Sequence, residues 1–160
     1  FHVTGVQTCA LPIYVMVDKL TPRFTGFHRG DVVVFLPPSG WPQGKKESPT
    51  PYIKRVIGLP GETITLVNGV VSVNGGPLSE PYIYRDDDGA SLEGENGSWT
   101  LGPDELLVMG DHRSNSSDSR IYGPIPASVV IGRAVLRYYP VDRMSVVAAP
   151  TYTEIGRAHV

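Results

Sequence analysis

Two stretches hold residue types from which acid–base chemistry can be built. The first, Tyr52-Ile53-Lys54-Arg55-Val56-Ile57-Gly58, sets a lysine beside an arginine in an otherwise apolar run. In an extended strand successive side chains point to opposite faces, so Lys54 shares a face with Tyr52 and Val56 while Arg55 joins Ile53 and Ile57. A lysine among apolar neighbours loses hydration, and that disfavours its ammonium form. To act as a base near neutral pH its pKa must fall from ~10.4 to roughly 7–8, a difference of about 3–5 kcal/mol between protonation states. A buried strand can supply this. An exposed Lys-Arg strand, which the segment taken alone suits better, cannot.

The second stretch is Gly110-Asp111-His112-Arg113-Ser114-Asn115-Ser116-Ser117-Asp118-Ser119-Arg120. Asp118 and Arg120 are close enough to pair, and Asp111 can reach another cation such as Arg55. The hydroxyls offer donors and acceptors able to orient an amine. The bland alternative is a turn in which Ser and Asn satisfy their own backbone. A third cluster, Asp86-Asp87-Asp88-Gly89, matches a calcium loop in part, with Glu95 at the twelfth position. Its first position falls on Tyr84, which supplies no carboxylate, so a solvated loop is expected there.

Other templates fail. There is no G-x-S-x-G elbow, no CxxC and no HExxH, and the residue three before Lys54 is Pro51 rather than a serine. His2 and His159 lie at the extreme ends, which leaves His28 and His112, too few for a metal site. The net charge of −2, with scattered basic residues, lacks the footprint of a nucleic-acid binder. Apolar residues at 41% exclude disorder over most of the chain. The longest near-apolar run, Cys9 to Val17, is broken by Pro12 and falls far short of the ~20 residues of a membrane span. Cys9 is the only cysteine, so no internal disulfide forms.

The elements that must position these residues are short. Glycine and proline, 18 and 15 residues, make up about a fifth of the chain, which disfavours a helical bundle. Val32 to Phe35, Tyr52 to Leu59, Glu62 to Val67, Val70 to Val73 and Glu105 to Met109 read as strands, with a weaker alternation over Tyr14 to Leu20. Asn68-Gly69 and Asn74-Gly75 are hairpin signals, because both turn positions need positive φ. Leu36 to Pro51 and Asp86 to Ser98 read as loops, and Pro126 to Val135 as the start of a short helix. The fold class expected is mainly β, a barrel or sandwich of short strands with an inserted loop region and little helix. Phe1 to Ile13 is uncharged and aperiodic and resembles a translated sequencing-adaptor read-through. The tail from about Glu154 looks similar. The domain reading is therefore 1–13 non-native, 14–147 one domain, and 148–160 a tail that is non-native from about 154.

Four blocks occur in order: Val15-Met16-Val17-Asp18-Lys19-Leu20, Arg29-Gly30-Asp31-Val32-Val33-Val34-Phe35, Tyr52 through Glu62, and Met109-Gly110-Asp111-His112-Arg113 through Asp118-Ser119-Arg120. Together they resemble bacterial type I signal peptidase, the leader peptidase family of membrane-anchored Ser/Lys proteases. The resemblance spans about Tyr14 to Val147. It implies an endopeptidase that removes signal peptides from exported preproteins, with Lys54 as the general base toward a serine nucleophile and later toward water. It implies Ser116 as the hydroxyl that orients the lysine, Asp118 and Arg120 as a supporting ionic pair, and Asp111 and Arg55 as residues holding the motif to the lysine strand. Ile53 corresponds to a wall of the pocket for small substrate residues. No cofactor, metal or nucleic acid is implied. Preprotein signal peptides and a membrane surface are the expected partners, with the domain on the extracytoplasmic side of the bacterial cytoplasmic membrane.

The chain departs from the family in two places. His112 stands where asparagine is usual. The Ser-Met-x-Pro-Thr-Leu block that carries the family's nucleophile does not occur, and with it go the oxyanion donors. Counting back places the nucleophile near Thr4, to which no role is assigned, so the nucleophile stays unknown and the chain is expected to be inactive as written. A substrate is expected to add as a strand beside the Lys54 strand, and Trp41 to rest on the membrane surface. The rival readings are a self-cleaving Ser/Lys protease and a non-catalytic β-domain that binds extended peptides.

Overall fold

The computed structural model describes residues 14–45, 48–84, 95–139 and 144–152. β1 (Tyr14–Asp18) leads into the short helix α1 (Thr21–Thr25) and then β2 (Val32–Phe35), β3 (Gly44–Lys45), β4 (Ser48–Pro49) and β5 (Tyr52–Gly58). β6 (Thr63–Val67), β7 (Val70–Val73), β8 (Gly76–Pro77), β9 (Gly97–Thr100) and β10 (Glu105–Met109) follow. The chain closes with α2 (Ser119–Tyr122), β11 (Ile125–Pro126), β12 (Val130–Tyr139) and β13 (Ser145–Val146). All strand pairs are antiparallel. They form a seven-stranded sheet in the order β1-β12-β2-β5-β10-β11, with β13 on β12, a four-stranded sheet in the order β8-β7-β6-β9, and the small β3-β4 ribbon.

Local chemistry explains the small sheet. Asn68 and Gly69 take φ of 48° and 78°, and Asn74 and Gly75 take 48° and 85°, the left-handed pairs that turn a two-residue hairpin. β6 and β7 are thereby locked in register at Val67↔Val70, and β7 and β8 at Val73↔Gly76. Alternation then sends Ile64, Leu66, Val71 and Val73 to one face, where they meet Ile57, Leu107 and Met109 of the large sheet. The far face of the large sheet is covered separately, with Val33, Phe35, Val56, Leu106 and Val108 packed around Trp41 and Ile125. β5 is therefore half-buried from Tyr52 to Lys54 and buried on both sides from Arg55 to Gly58, where Val56 and Ile57 have no exposed surface. Each such side chain contributes about 1.5–3 kcal/mol, so the two cations on β5 stand on a firmly held strand.

Four expectations change. Pro126 to Val135 starts no lasting helix: a single 3₁₀ turn covers Ala127–Val129, and the chain then runs as the ten-residue β12. Pairing with β1 and β2 on either side decides this, because a central strand gains ladders on both edges. The Leu36 to Pro51 loop carries the β3-β4 ribbon, and the second loop ends earlier than expected because Gly97 and Ser98 pair with β6. Trp41 is not a surface belt residue. It is only 3% exposed and packs edge-on against Phe35 and Tyr52, each with its ring centroid 5.4 Å away.

Candidate active site

Strand pairing brings the two charged stretches together. β10 pairs with β5 at Leu107↔Gly58, Val108↔Val56 and Met109↔Arg55, so the loop that starts at Gly110 leaves the sheet alongside Lys54. The Lys54 Nζ donates to Ser116 Oγ at 2.8 Å, and Ser116 Oγ donates to Asp118 Oδ2 at 2.8 Å. The hydroxyl proton is thus committed to the carboxylate, and an oxygen lone pair faces the amine. One N–H of the amine is used in this way, which leaves its lone pair, once neutral, pointing elsewhere. Burial pulls the Lys54 amine below the ordinary lysine range; Asp118 and Asp111 oppose that pull, and Arg120 adds to it.

Asp118 holds this arrangement from a fully buried position. It accepts from the Gly110 amide at 2.9 Å, from the Arg120 amide at 3.1 Å as the N-cap of α2, and from Arg120 Nε and Nη2 at 2.9 and 3.0 Å. Burial works against its charge, but these bonds with the Arg120 cation outweigh it and set the carboxyl below its usual range. Arg120 also donates to Glu95 Oε2 at 2.7 Å and to the Arg113 carbonyl at 2.8 Å. On the opposite face of β5, Arg55 is bidentate to Asp111 at 2.8 and 2.6 Å, donates to the Gly30 carbonyl at 2.8 Å, and lies 4.2 Å from the Tyr82 ring centroid. The structure thus joins Lys54, Ser116, Asp118 and Arg120 in one cluster, and Arg55 and Asp111 in a second. Ile53 pairs with Val34 and is partly buried. β2 covers one edge of β5 over Tyr52 to Arg55. Among the described residues no strand covers the other edge of Tyr52, Ile53 and Lys54.

Several neighbours were not legible beforehand. Gly110 is one: a Cβ there would collide with Ser116 Oγ and come within 3.5 Å of Lys54 Nζ, so only glycine lets the loop approach so closely. Glu80 takes the buried Arg113 in a bidentate pair at 3.2 and 2.5 Å. The His112 ring packs 4.9 Å from that of Tyr84. Sequence spacing does not disclose such partners, because Glu80 to Ile83 form a turn in which period-2 alternation defines no face. Among the described residues no group of His, Cys, Asp or Glu is arranged to hold a metal, and no helix is long and apolar enough to cross a membrane. Thr4, Asp86, Asp88 and Gly89 lie outside the described residues.

This β scaffold thus sets a desolvated lysine against a serine hydroxyl. The family model described as "Signal peptidase, peptidase S26" matches residues 6–139. Signal peptidase I of Leptolyngbya laminosa is 40% identical over 136 residues, covering 85% of this chain and 64% of that protein. Signal peptidase I P of Bacillus subtilis subsp. natto is 36% identical over 81% of this chain and 69% of its own length. A crystal structure of a signal peptidase I from Enterococcus faecalis superposes with a TM-score of 0.52 at 26% identity, covering 66% of this chain and 94% of that one. The chain belongs to the signal peptidase family, peptidase S26. It spans less than two thirds of the Leptolyngbya protein.

Proposed function

We propose that this chain is the catalytic-domain portion, residues 14–147, of a signal peptidase I that cleaves signal peptides from exported preproteins with Lys54 as the base. The observation that carries the reading is the 2.8 Å contact between the half-buried Lys54 Nζ and Ser116 Oγ. In the mechanism, a preprotein segment with small side chains pairs with the open edge of Tyr52, Ile53 and Lys54, and Ile53 borders the pocket for the residue before the scissile bond. A serine hydroxyl attacks the carbonyl while its proton passes to the neutral Lys54 amine. The resulting ammonium returns that proton to the leaving amine as the peptide bond breaks. Lys54 then deprotonates the water that hydrolyses the acyl ester. Ser116 holds the amine in aim throughout, and Asp118 with Arg120 holds Ser116. The family's serine block does not occur in these 160 residues, so turnover requires that block to be supplied. The natural setting is the extracytoplasmic face of the bacterial cytoplasmic membrane.

The test uses a peptide spanning a signal-peptide cleavage site. The chain as given should bind it without cutting, a fusion with a Ser-Met-x-Pro-Thr-Leu block ahead of Tyr14 should cut it, and Lys54→Ala in that fusion should not. Cutting by the unfused chain, or by the Lys54→Ala fusion, overturns the proposal. Binding with no turnover in any fusion favours a β-domain that only captures extended peptides.

A further inference from the structure

The segment Glu80-Pro81-Tyr82-Ile83-Tyr84 leaves the small sheet after β8 and lays every second side chain against the site. Glu80 pairs with Arg113, and their side chains are only 6% and 2% exposed. Tyr82 lies against the Arg55 guanidinium and donates from its hydroxyl to Glu80 Oε1 at 3.0 Å. The Tyr84 amide donates to the Asp111 carbonyl at 2.9 Å, and its ring meets that of His112. This stretch, turned at Pro81-Tyr82 by the Ile83 amide donating to the Glu80 carbonyl at 3.3 Å, thus touches Arg55, Asp111, His112 and Arg113.

Arg113 passes this contact inward. Its Nε donates to the Gly110 carbonyl at 3.0 Å, the Gly110 amide donates to Asp118 at 2.9 Å, and Asp118 accepts the hydroxyl that faces Lys54. Through the shorter of the two Glu80–Arg113 bonds, no hydrogen bond from Glu80 to the amine exceeds 3.0 Å. The Gly110 to Asp118 loop needs such support, because its only regular structure is the single 3₁₀ turn Arg113–Asn115. A buried guanidinium without its carboxylate would leave that position.

We propose that Glu80, Tyr82 and Tyr84 form a brace, supplied by the small sheet, that fixes Ser116 against Lys54; they are positioning residues, and this role rests on the reading of Lys54 as the base. Of the three, Glu80 carries the greatest share, through Arg113.

The full 160-residue chain is suited to the test, because neither readout needs turnover. Amide hydrogen exchange over residues 110–116 and the titration of the Lys54 amine by NMR are compared in the unmodified chain, Glu80→Gln, Tyr82→Phe and the control Glu62→Gln. Glu62 holds Arg29 in a bidentate pair at 2.9 and 2.6 Å away from this loop, so its loss perturbs a comparable ion pair without touching the brace. Glu80→Gln should speed exchange over 110–116 by about tenfold or more, leave the β6–β7 hairpin protected, and raise the Lys54 midpoint toward the ordinary lysine value. Glu80→Asp should restore most of both. Exchange over 110–116 no faster in Glu80→Gln than in Glu62→Gln overturns the brace. Where Glu80→Gln fails to fold, Tyr82→Phe, which deletes only the hydroxyl, should give the same local acceleration in smaller measure, and its absence overturns the proposal. An ordinary Lys54 midpoint in the unmodified chain counts against the base assignment instead, while the exchange comparison still decides the brace.

Discussion

Lys54 and Arg55 are consecutive on one buried strand, yet their surroundings differ in kind. Arg55 faces a carboxylate in bidentate geometry, a carbonyl and an aromatic face, so its positive charge is compensated where it lies. Burial alone would push its proton off, but Asp111 more than offsets this and holds the guanidinium above its ordinary range. Lys54 meets a neutral hydroxyl, and no ion pair to it is found among the described residues. The nearby carboxylate, Asp118, is already taken up by Arg120 and by the Ser116 hydroxyl. The same strand thus strengthens one cation's hold on its proton and weakens the other's. What separates them is the partner each face provides, not the depth of burial.

The contrast can be broken from several directions. In the serine-block fusion, Lys54→Met removes the amine and keeps the stem; turnover of a signal-peptide substrate should fall by about 10²–10⁴-fold, with the melting temperature retained. Next in size is Asp118→Asn, which leaves the Arg120 guanidinium without its buried carboxylate. Urea melts should show a loss of about 3–5 kcal/mol, and a loss under 1 kcal/mol would mean that Asp118 is not the anchor described. Gly110→Ala should cost about 1–3 kcal/mol through overpacking against Ser116, and Lys54 should titrate closer to a free lysine.

The smallest effect concerns pH. Because the folded Lys54 amine titrates below its unfolded value of ~10.4, the unfolded chain binds more protons between those two midpoints, so stability should rise with pH in that window. The slope should vanish in Lys54→Met and persist in Arg55→Lys. Asp118 acts at the other end. Its folded carboxyl titrates low, so the stability it contributes is present above the unfolded carboxylate range and is lost as pH falls through the lowered value. Melting curves across pH in the Lys54→Met and Asp118→Asn variants separate the two.

The strands that were legible are those whose local chemistry and burial agree. Val32–Phe35, Val70–Val73 and Glu105–Met109 appear with the bounds their residues suggest, because β-branched and apolar runs end at turn-forming residues. β12 was misread in its first half, since Gly132, Arg133 and Ala134 carry no strand preference and only pairing with β1 and β2 makes them extended. In the site, Lys54, Ser116, Asp118 and Arg120 lie in two contiguous motifs, whose resemblance to the signal peptidase family located them together. Glu80, Tyr82, Glu95 and Arg113 escaped because each pairing joins separate elements, and no spacing in a single chain states which carboxylate a buried guanidinium will meet. Gly110 was visible as a turn residue, but the crowding that requires glycine there exists only once Ser116 folds back over it.

Lys54 and Ser116 are 62 residues apart, and the whole four-stranded sheet lies in the sequence between them. Closing so long a loop costs chain entropy that is recovered only when β5 and β10 zip together. The amine and its hydroxyl therefore meet only where β5 and β10 pair, so the contact belongs to the tertiary fold and to no local element. Without that pairing the same lysine is hydrated and carries its full charge, so the lowered proton affinity at position 54 is a property of the assembled sheets and of neither motif by itself.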